Sequence, residues 1–391
     1  MNYKEKITDT EKKSPPKGPL IFRILVLSFF VILGSVSILG LILPDKEFSE
    51  NENRVLASRP VITVQGIYDG SFMKKAEVYL TDHFPFRDTA IRIKSYTERI
   101  LGKSKENGAY IGNDGYLFDT PSEPDKEKLT ALLSSINGFA RENDRFDMCF
   151  ALIPNSTYIY GDKLPDNVEF KNQKAQIEKF YSLLSEKFHT VDTVAALTEA
   201  SREHQVFYRT DHHWTTRGAF SVFLRIADKL EIDASAEDYE FRTVSDSFRG
   251  TLSSKVSSCR SQDIIEICFP KDGGTDFFID FGTDREKSAS FFFPDKLDTK
   301  NQYEVFLGGN YGKLTITTSL TNDRKLLVIK DSYANCLLPL LTPYFAKITV
   351  LDPRYMTQSV DSILEEDEYT DALFLYNVNT LLLDTSVKDV M

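Results

Sequence analysis

From Ile24 to Leu43 the chain reads ILVLSFFVILGSVSILGLIL, without a single charged residue. A run of that length matches the ~20 residues a helix needs to cross the bilayer core. A secretory signal core is usually only ~7–15 residues. Gly34, Ser35 and Ser37 leave cleavage open, but an uncleaved anchor is the better reading. The alternative, a buried core helix, would be expected to show a polar face, and this run has none. Lys4, Lys6, Lys12, Lys13, Lys17 and Arg23 precede the run, against Glu5, Asp9 and Glu11. That basic excess predicts residues 1–23 as a cytoplasmic tail, 24–43 as a transmembrane anchor, and everything after Leu43 outside. A single-pass cell-membrane protein with an extracellular folded part is expected.

The folded part is globular by composition, 41% hydrophobic and 27% charged, in a chain of 391 residues. That length allows one large domain or two ordinary ones. The net charge of −11 argues against a nucleic-acid binder, which would need a basic face for the phosphates, so no nucleic-acid partner is expected. Cys259 and Cys268, in a polar, turn-rich region, are spaced to bridge in an oxidising compartment or to stay unpaired. Cys149 and Cys336 sit in apolar runs and are expected to be buried thiols. No CxxC pair suggests zinc.

Residues 44–108 read as a linker, an extended arm (NRVLASRPVITV) and two amphipathic helices. The first carries Phe72, Ala76, Tyr79 and Leu80 on one face; the second carries Ile93, Tyr96, Ile100 and Leu101. Pro85 suits the first turn of the second helix, and Asp82, His83 and Arg87 are expected to make structural contacts there. AYIGNDGYLF (109–118) predicts a hairpin, because Asn113-Asp114-Gly115 tolerates positive φ. From residue 125 helical patterns alternate with apolar strands: FDMCFALIP, HTVDTV, KLLVIK, KITVLD and DALFLYN. SYANCLLPLLTPYF is predicted mostly helical. Continuous apolar strands separated by helices indicate an α/β fold with a parallel sheet covered on both faces. Residues 235–322, rich in β-type residues, Gly and Ser, read as a β-rich insertion within a domain spanning 109–391.

Two of the five histidines and the only tryptophan lie together in YRTDHHWTTRGAF, 208–220. In an extended segment, side chains at i and i+2 share a side, so Asp211 and His213 project together. A carboxylate beside an imidazole holds its tautomer and stabilises the imidazolium. Thr215 stands where a helix N-cap is wanted. A nucleophile is available in LLVIKDSYANCLLPLL, where Ser332 follows a strand and opens a predicted helix. Reacting groups gather there in parallel sheets, and a helix start offers N–H groups to an oxyanion. A serine at such a junction also serves as a plain cap. Asp211, His212 and His213 are adjacent and diverge in an extended segment, so no metal site is expected.

The motifs DHHW (211–214), FLGGN (306–310) and LLVIKDSYAN (326–335), with DHFPFRD (82–88) and IGNDGYLF (111–118), resemble the bacterial DHHW proteins. These are similar to the SGNH-like alginate O-acetylation proteins, in which Asp-x-His precedes the serine. The resemblance implies an SGNH-like three-layer fold, with Ser332 as nucleophile, His213 as general base and Asp211 as its orienting carboxylate. It also implies an oxyanion hole made from a glycine N–H and an asparagine, for which Gly309 with Asn310 and, separately, Asn155 are the candidates; either asparagine equally suits a turn. Trp214 is expected as a core or cleft-wall residue able to stack on a sugar, and His212 as a packing or hydrogen-bonding neighbour. Arg354 is expected at the surface or holding an anionic group.

The function so implied is extracytoplasmic O-acetyl transfer, through a serine acyl-enzyme, to a hydroxyl of a cell-surface or exopolysaccharide. A membrane-bound O-acyltransferase would bring the acetyl group across. No cofactor is expected, since acetyl-CoA stays inside the cell and no glycine loop that cradles phosphate is visible. A carbohydrate O-acetyl esterase would use the same residues with water as acceptor. A non-catalytic polysaccharide-binding or assembly protein on the same scaffold is the reading from another class; the complete Asp211–His213–Ser332 set argues against it.

Overall fold

The computed structural model describes residues 20–49, 52, 54–123, 125–166, 168–282 and 287–391. The lysines of the tail, on which the expected membrane orientation rests, lie outside the described residues. The chain divides into two units, Met1–Ser49 with Arg54–Ile91, and Glu50–Asn53 with Arg92–Met391.

In the first unit the apolar run is a helix, α1 (Leu20–Ile42), which starts four residues earlier than the uncharged stretch and takes in Arg23. It is long and apolar enough to cross a membrane, and none of its apolar window is buried. A helix of that kind serves either as a span or as a signal sequence. The first amphipathic helix is Ser71–Asp82. The second spans Arg87–Ile100, so Pro85 precedes it instead of opening it. The residue after that proline, Phe86, has φ 60°, which no helical first turn tolerates. DHFPFRD does the structural work expected of it. Buried Asp82 takes two hydrogen bonds from the Arg54 guanidinium and one from the Ala57 N–H, and the His83 Nε2 lies 2.8 Å from the Ala57 carbonyl oxygen. The Arg54 hydrogen bonds hold the Asp82 carboxyl down at about 2.

The second unit is built on a seven-stranded sheet. Its strands are β1 (Asp147–Ile153), β2 (Phe188–Thr190), β3 (Phe277–Asp280), β4 (Lys313–Thr318), β5 (Lys325–Lys330), β6 (Lys347–Leu351) and β7 (Asp371–Asn377), in the order β3-β4-β6-β5-β7-β1-β2. β6, β5, β7, β1 and β2 are parallel, and β4 and β3 extend the sheet antiparallel at one edge. The period of two sorts each strand between two cores. On β1, Met148, Phe150 and Leu152 meet Leu132 and Ile136 of α2 (Lys126–Glu142) and Phe180 of α3 (Gln173–Tyr181). Cys149, Ala151 and Ile153 face the other core, with Leu197 of α4 (Thr193–Ala200) and Val222, Phe223 and Ile226 of α5 (Thr216–Lys229). Each such fully buried side chain contributes ~1.5–3 kcal/mol over an exposed one. Helices therefore cover both faces, giving the three-layer α/β arrangement that the apolar strands predict.

Two elements differ from their sequence expectations, and the cysteines take one of the two readings left open. The 235–322 stretch is not a detached insertion. Its strands Tyr239–Phe248 and Asp263–Pro270 form a hairpin, but its other two, β3 and β4, complete the main sheet. Alternating β patterns are the same whether a strand pairs locally or with a distant edge. The segment 332–345 is two 3-10 turns, Ser332–Cys336 and Leu338–Leu341, in place of a helix. Pro339 has no N–H for the helical ladder, and the leucines around it are fully buried. All four cysteines are free. Cys268 points into the large core and Cys259 packs beside Leu252 and Val256 in a separate small cluster, so the two do not bridge. The 109–118 hairpin forms as expected, with Asp114 at φ 53° and Gly115 at φ 79° in its turn.

Candidate active site

The side chains that the sequence singles out meet beyond the carboxyl ends of the parallel strands. Ser332 follows β5, in the middle of the sheet. Asp331 ties that point down: its two carboxylate oxygens accept from the N–H of Tyr333 and of Asn377 at the end of β7, both at 2.9 Å. The DHHW segment arrives as a tight excursion. Phe207 bridges to Trp214, the Tyr208 N–H donates to the His213 carbonyl, and the Thr215 hydroxyl caps α5 by accepting from the Gly218 N–H. Trp214 is fully buried, and its Nε1 donates to the Tyr333 carbonyl at 2.8 Å. It thus anchors the DHHW turn to the Ser332 turn. It does not line the cavity over Ser332, so of the readings open to it the core residue fits and the one that stacks on sugar does not.

Across this junction His213 Nε2 lies 2.8 Å from Ser332 Oγ, and His213 Nδ1 lies 2.6 Å from Asp211 Oδ1. Asp211 is itself immobilised. Oδ1 also accepts from the His213 N–H at 3.0 Å, and Oδ2 accepts from the N–H and hydroxyl of Thr251 at 2.7 and 3.0 Å. Burial alone would raise the Asp211 carboxyl, but His212, His213 and these donors hold it well below the carboxylate range. A carboxylate only accepts, so His213 carries its proton on Nδ1 and presents a bare Nε2 lone pair to the Ser332 hydroxyl. Burial, reinforced by the neighbouring His212, pushes the His213 imidazole down to about 4 against the pull of Asp211. At neutral pH it is an unprotonated base. The Tyr303 ring stacks on it at 3.9 Å and 12°, fixing the ring plane.

His212 is a neighbour, as expected: its Nδ1 is 3.0 Å from Thr251 Oγ1 and its ring is 3.9 Å from that of His213. Ligand atoms of Asp211, His212 and His213 lie within 4.8 Å of one another. The donor set does not suit an ion, because the Asp211 oxygens already take four hydrogen bonds and His213 Nδ1 spends its proton on them.

A cavity of about 390 Å³ opens over Ser332 and His213. Three of the other sequence candidates line it: Gly309, Asn310 and Arg354. Gly309 has φ 138° and follows Leu307 and Gly308, also at positive φ, so this loop needs its glycines. A buried relay fixes the Asn310 amide. Lys330 Nζ, which can only donate, is 2.8 Å from Asn335 Oδ1; the Asn335 amide N–H then donates to Asn310 Oδ1 at 3.2 Å. With its oxygen so engaged, Asn310 offers its NH₂ as a donor. Arg354 is gripped by Asp352 through two hydrogen bonds of 2.8 and 2.7 Å. Asn155 is elsewhere. It is buried at the end of β1, its side-chain oxygen accepting from Asn377 and its backbone N–H donating to the Gln173 side-chain oxygen, and it does not line the cavity.

Thr251, Tyr303, Asn335 and Lys330 are absent from the sequence candidates. Gly250 belongs with them: a Cβ there would fall 2.2 Å from the Asp211 Cβ and 2.3 Å from Oδ2. The helix dipole once expected at Ser332 is also absent, since the Tyr333 N–H is spent on Asp331 in a short 3-10 turn. The one available signal was in the chemistry of KDSYAN, where a lysine, an aspartate and an asparagine at a strand end all need buried partners.

The fold is SGNH-like α/β, and the site is a Ser-His-Asp constellation at its strand ends. Comparisons agree. Residues 110–265 match the family described as SGNH hydrolase-like domain, acetyltransferase AlgX. A probable alginate O-acetylase AlgJ of Pseudomonas syringae is 24% identical over 185 residues, 44% of this chain and 47% of that protein; its Pseudomonas aeruginosa counterpart is 22% identical over 190 residues. The chain thus spans about half the length of these relatives. Among solved structures, a DHHW family protein from Eubacterium siraeum superposes with a TM-score of 0.63 at 22% identity, covering 73% of this chain and 97% of that one. Bacillus cereus PatB1, solved with a sulfonyl adduct, gives 0.61 at 19% identity, with 70% and 96% covered.

Proposed function

We propose that this protein is an O-acetyltransferase that acts outside the cytoplasm, moving an acetyl group through Ser332 to a hydroxyl of a polysaccharide. The observation that carries the reading is the unbroken line Asp211–His213–Ser332, with a base that is neutral at physiological pH and a serine open to a cavity.

In this mechanism His213 Nε2 takes the Ser332 proton as Oγ attacks the acetyl carbonyl carbon. The carbonyl oxygen becomes an oxyanion, received by the Asn310 NH₂ and the Gly309 N–H. Each such donor is worth ~10²–10³-fold in rate. Collapse expels the donor's leaving oxygen, which takes the proton from His213 and leaves acetyl-Ser332. The acceptor hydroxyl then loses its proton to His213 and attacks the acyl carbon, and Ser332 regains a proton as it leaves. Asp211 stays ionised throughout and balances the imidazolium. The acetyl group reaches the site from a membrane-bound O-acyltransferase, and α1 tethers the protein to that membrane. Support for the acceptor class comes from the relatives named as alginate O-acetylases.

The test is acetyl release from p-nitrophenyl acetate by the full chain in detergent, with mass spectrometry for an adduct on Ser332. Turnover and an adduct in wild type, both absent in Ser332→Ala, are expected. Equal turnover in the two proteins would sink the acyl-enzyme. Transfer to an added oligosaccharide at the expense of hydrolysis separates the transferase from an esterase.

A further inference from the structure

The excursion RGTLSSKVSSCRSQD (249–263), between the strands Tyr239–Phe248 and Asp263–Pro270, does more than supply Gly250 and Thr251 to Asp211. Behind it lies a second cavity of about 160 Å³, wholly within the second unit, lined by Arg92, Arg249, Arg260 and Lys300 together with serines and Tyr96, and by no carboxylate. Arg249 and Lys300 also line the cavity over Ser332, so the two adjoin. Four cations converge here in a chain whose net charge is −11. None of Arg92, Arg249 and Arg260 has an ion-pair partner among the described residues; Arg260 instead sits over the Tyr96 ring, 5.5 Å from its centroid. Glu106, which reaches Ser257 of the cavity wall, is spent on the Ser95 hydroxyl and the Ser257 N–H. Two donors at the cavity have no partner among the described residues, the Arg249 Nε and the hydroxyl of Ser258, a residue only 5% exposed. Arg92 and Arg260 are exposed, so the cost falls on the buried donors, which need an acceptor to answer them.

We propose that this cavity is an anion subsite that holds a carboxylate or phosphate group of the acceptor polymer, next to the unit whose hydroxyl meets Ser332. The inference rests on the acetyl-transfer reading for its link to the acceptor. An acetyl ester is neutral and has no use for four cations, so the anion belongs to the acceptor chain. The 160 Å³ volume has room for an anionic group and little more. Arginine forks suit the paired oxygens of carboxylates and phosphates alike, so the two sources share one chemistry: a polyuronate, or a polyol-phosphate polymer.

The test is calorimetric binding to the full chain in detergent carrying Ser332→Ala, which removes turnover. The probes are tetragalacturonate, a glycerol-phosphate tetramer and neutral tetra-N-acetylchitotetraose. One of the two anions is expected to bind roughly tenfold or more tightly than the neutral oligomer, with affinity that falls as salt rises. Whichever anion binds identifies the source. Arg260→Gln is expected to weaken that binding at least about tenfold, and Arg92→Gln to do so independently, with thermal melts confirming that each variant is folded. The proposal is overturned if the neutral oligomer binds as well as both anions, if nothing binds at millimolar concentration, or if neither folded variant weakens the anion. Because binding is read without turnover, failure here leaves the acyl-enzyme test untouched. Failure of that test leaves this one standing.

Discussion

Asp211→Asn isolates what the carboxylate does, since it keeps the size of the side chain and removes one acceptor oxygen. In the native site four donors converge on two oxygens: the N–H and Nδ1–H of His213 on Oδ1, and the N–H and Oγ1–H of Thr251 on Oδ2. An asparagine has two orientations. With its oxygen toward His213, its NH₂ faces the Thr251 N–H, and one buried donor is left unanswered at ~1–3 kcal/mol. With its oxygen toward Thr251, its NH₂ donates to His213 Nδ1 and drives the imidazole proton onto Nε2. That tautomer cannot accept the Ser332 proton. It also leaves the imidazolium unbalanced in the transition state. In serine enzymes built this way the corresponding change costs ~10⁴-fold in kcat. We expect Asp211→Asn to melt within a few degrees of wild type, since a small part of a 391-residue fold is touched, and to lose ~10³–10⁴-fold in p-nitrophenyl acetate turnover. The assay is kcat over a pH series with the adduct monitored in parallel. A variant that is folded and within tenfold of wild type would refute both the tautomer argument and the general-base role of His213.

Two further outcomes follow from the same geometry. Because burial and His212 hold the His213 imidazole at about 4, the base stays unprotonated as pH falls through the usual histidine range. The acid limb of kcat/KM should therefore have its midpoint near pH 4, where an ordinary histidine would place it near 6.5. A midpoint at 6 or above, measured from pH 3 to 8, would show that His213 is solvated and not the buried base described. Gly250→Ala places a Cβ 2.2 Å from the Asp211 side chain, so one of them must move. We expect ~1–3 kcal/mol of destabilisation from overpacking and at least about a hundredfold loss of turnover, with Gly161→Ala, which meets nothing within 4 Å, unaffected in both.

The layers of the fold were legible because they follow from periodicity. FDMCFALI, KLLVIK and DALFLYN alternate between two buried faces, and a strand apolar on both faces needs helices on both. What periodicity does not carry is partner choice. Nothing in FFID or KLTITT tells a strand of a local hairpin from one that completes the edge of a sheet begun more than a hundred residues earlier. The failure at 332–345 has a different cause. The leucines of SYANCLLPLLTPYF fit a helical stripe, but Pro339 stands at its centre, and breaking the stripe into two 3-10 turns lets the same leucines fill the core without a helix.

For the site, legibility tracks how far apart in sequence the partners stand. Asp211 and His213 are two residues apart, and an i, i+2 pair in an extended turn declares its geometry locally. Ser332 declared itself by position, at a strand end. The groups that make those three work as a unit are far off and chemically ordinary. Thr251 is 40 residues from Asp211, and Tyr303 is 90 residues from the ring it stacks on. A threonine after Arg-Gly carries no mark of its role; only the close approach of Gly250 to Asp211 reveals it. The same holds for the oxyanion donors. Asn155 and Asn310 both end apolar segments, and sequence offers no way to rank them. The structure separates them by place: Asn155, its oxygen bonded by the strand-end Asn377, stays buried at the end of β1 and does not line the cavity, whereas a donor-only lysine, acting through Asn335, turns the NH₂ of Asn310 loose in the cavity over Ser332. Orientation passed down a chain of amides is set by the one member that cannot reverse, and here that member is Lys330.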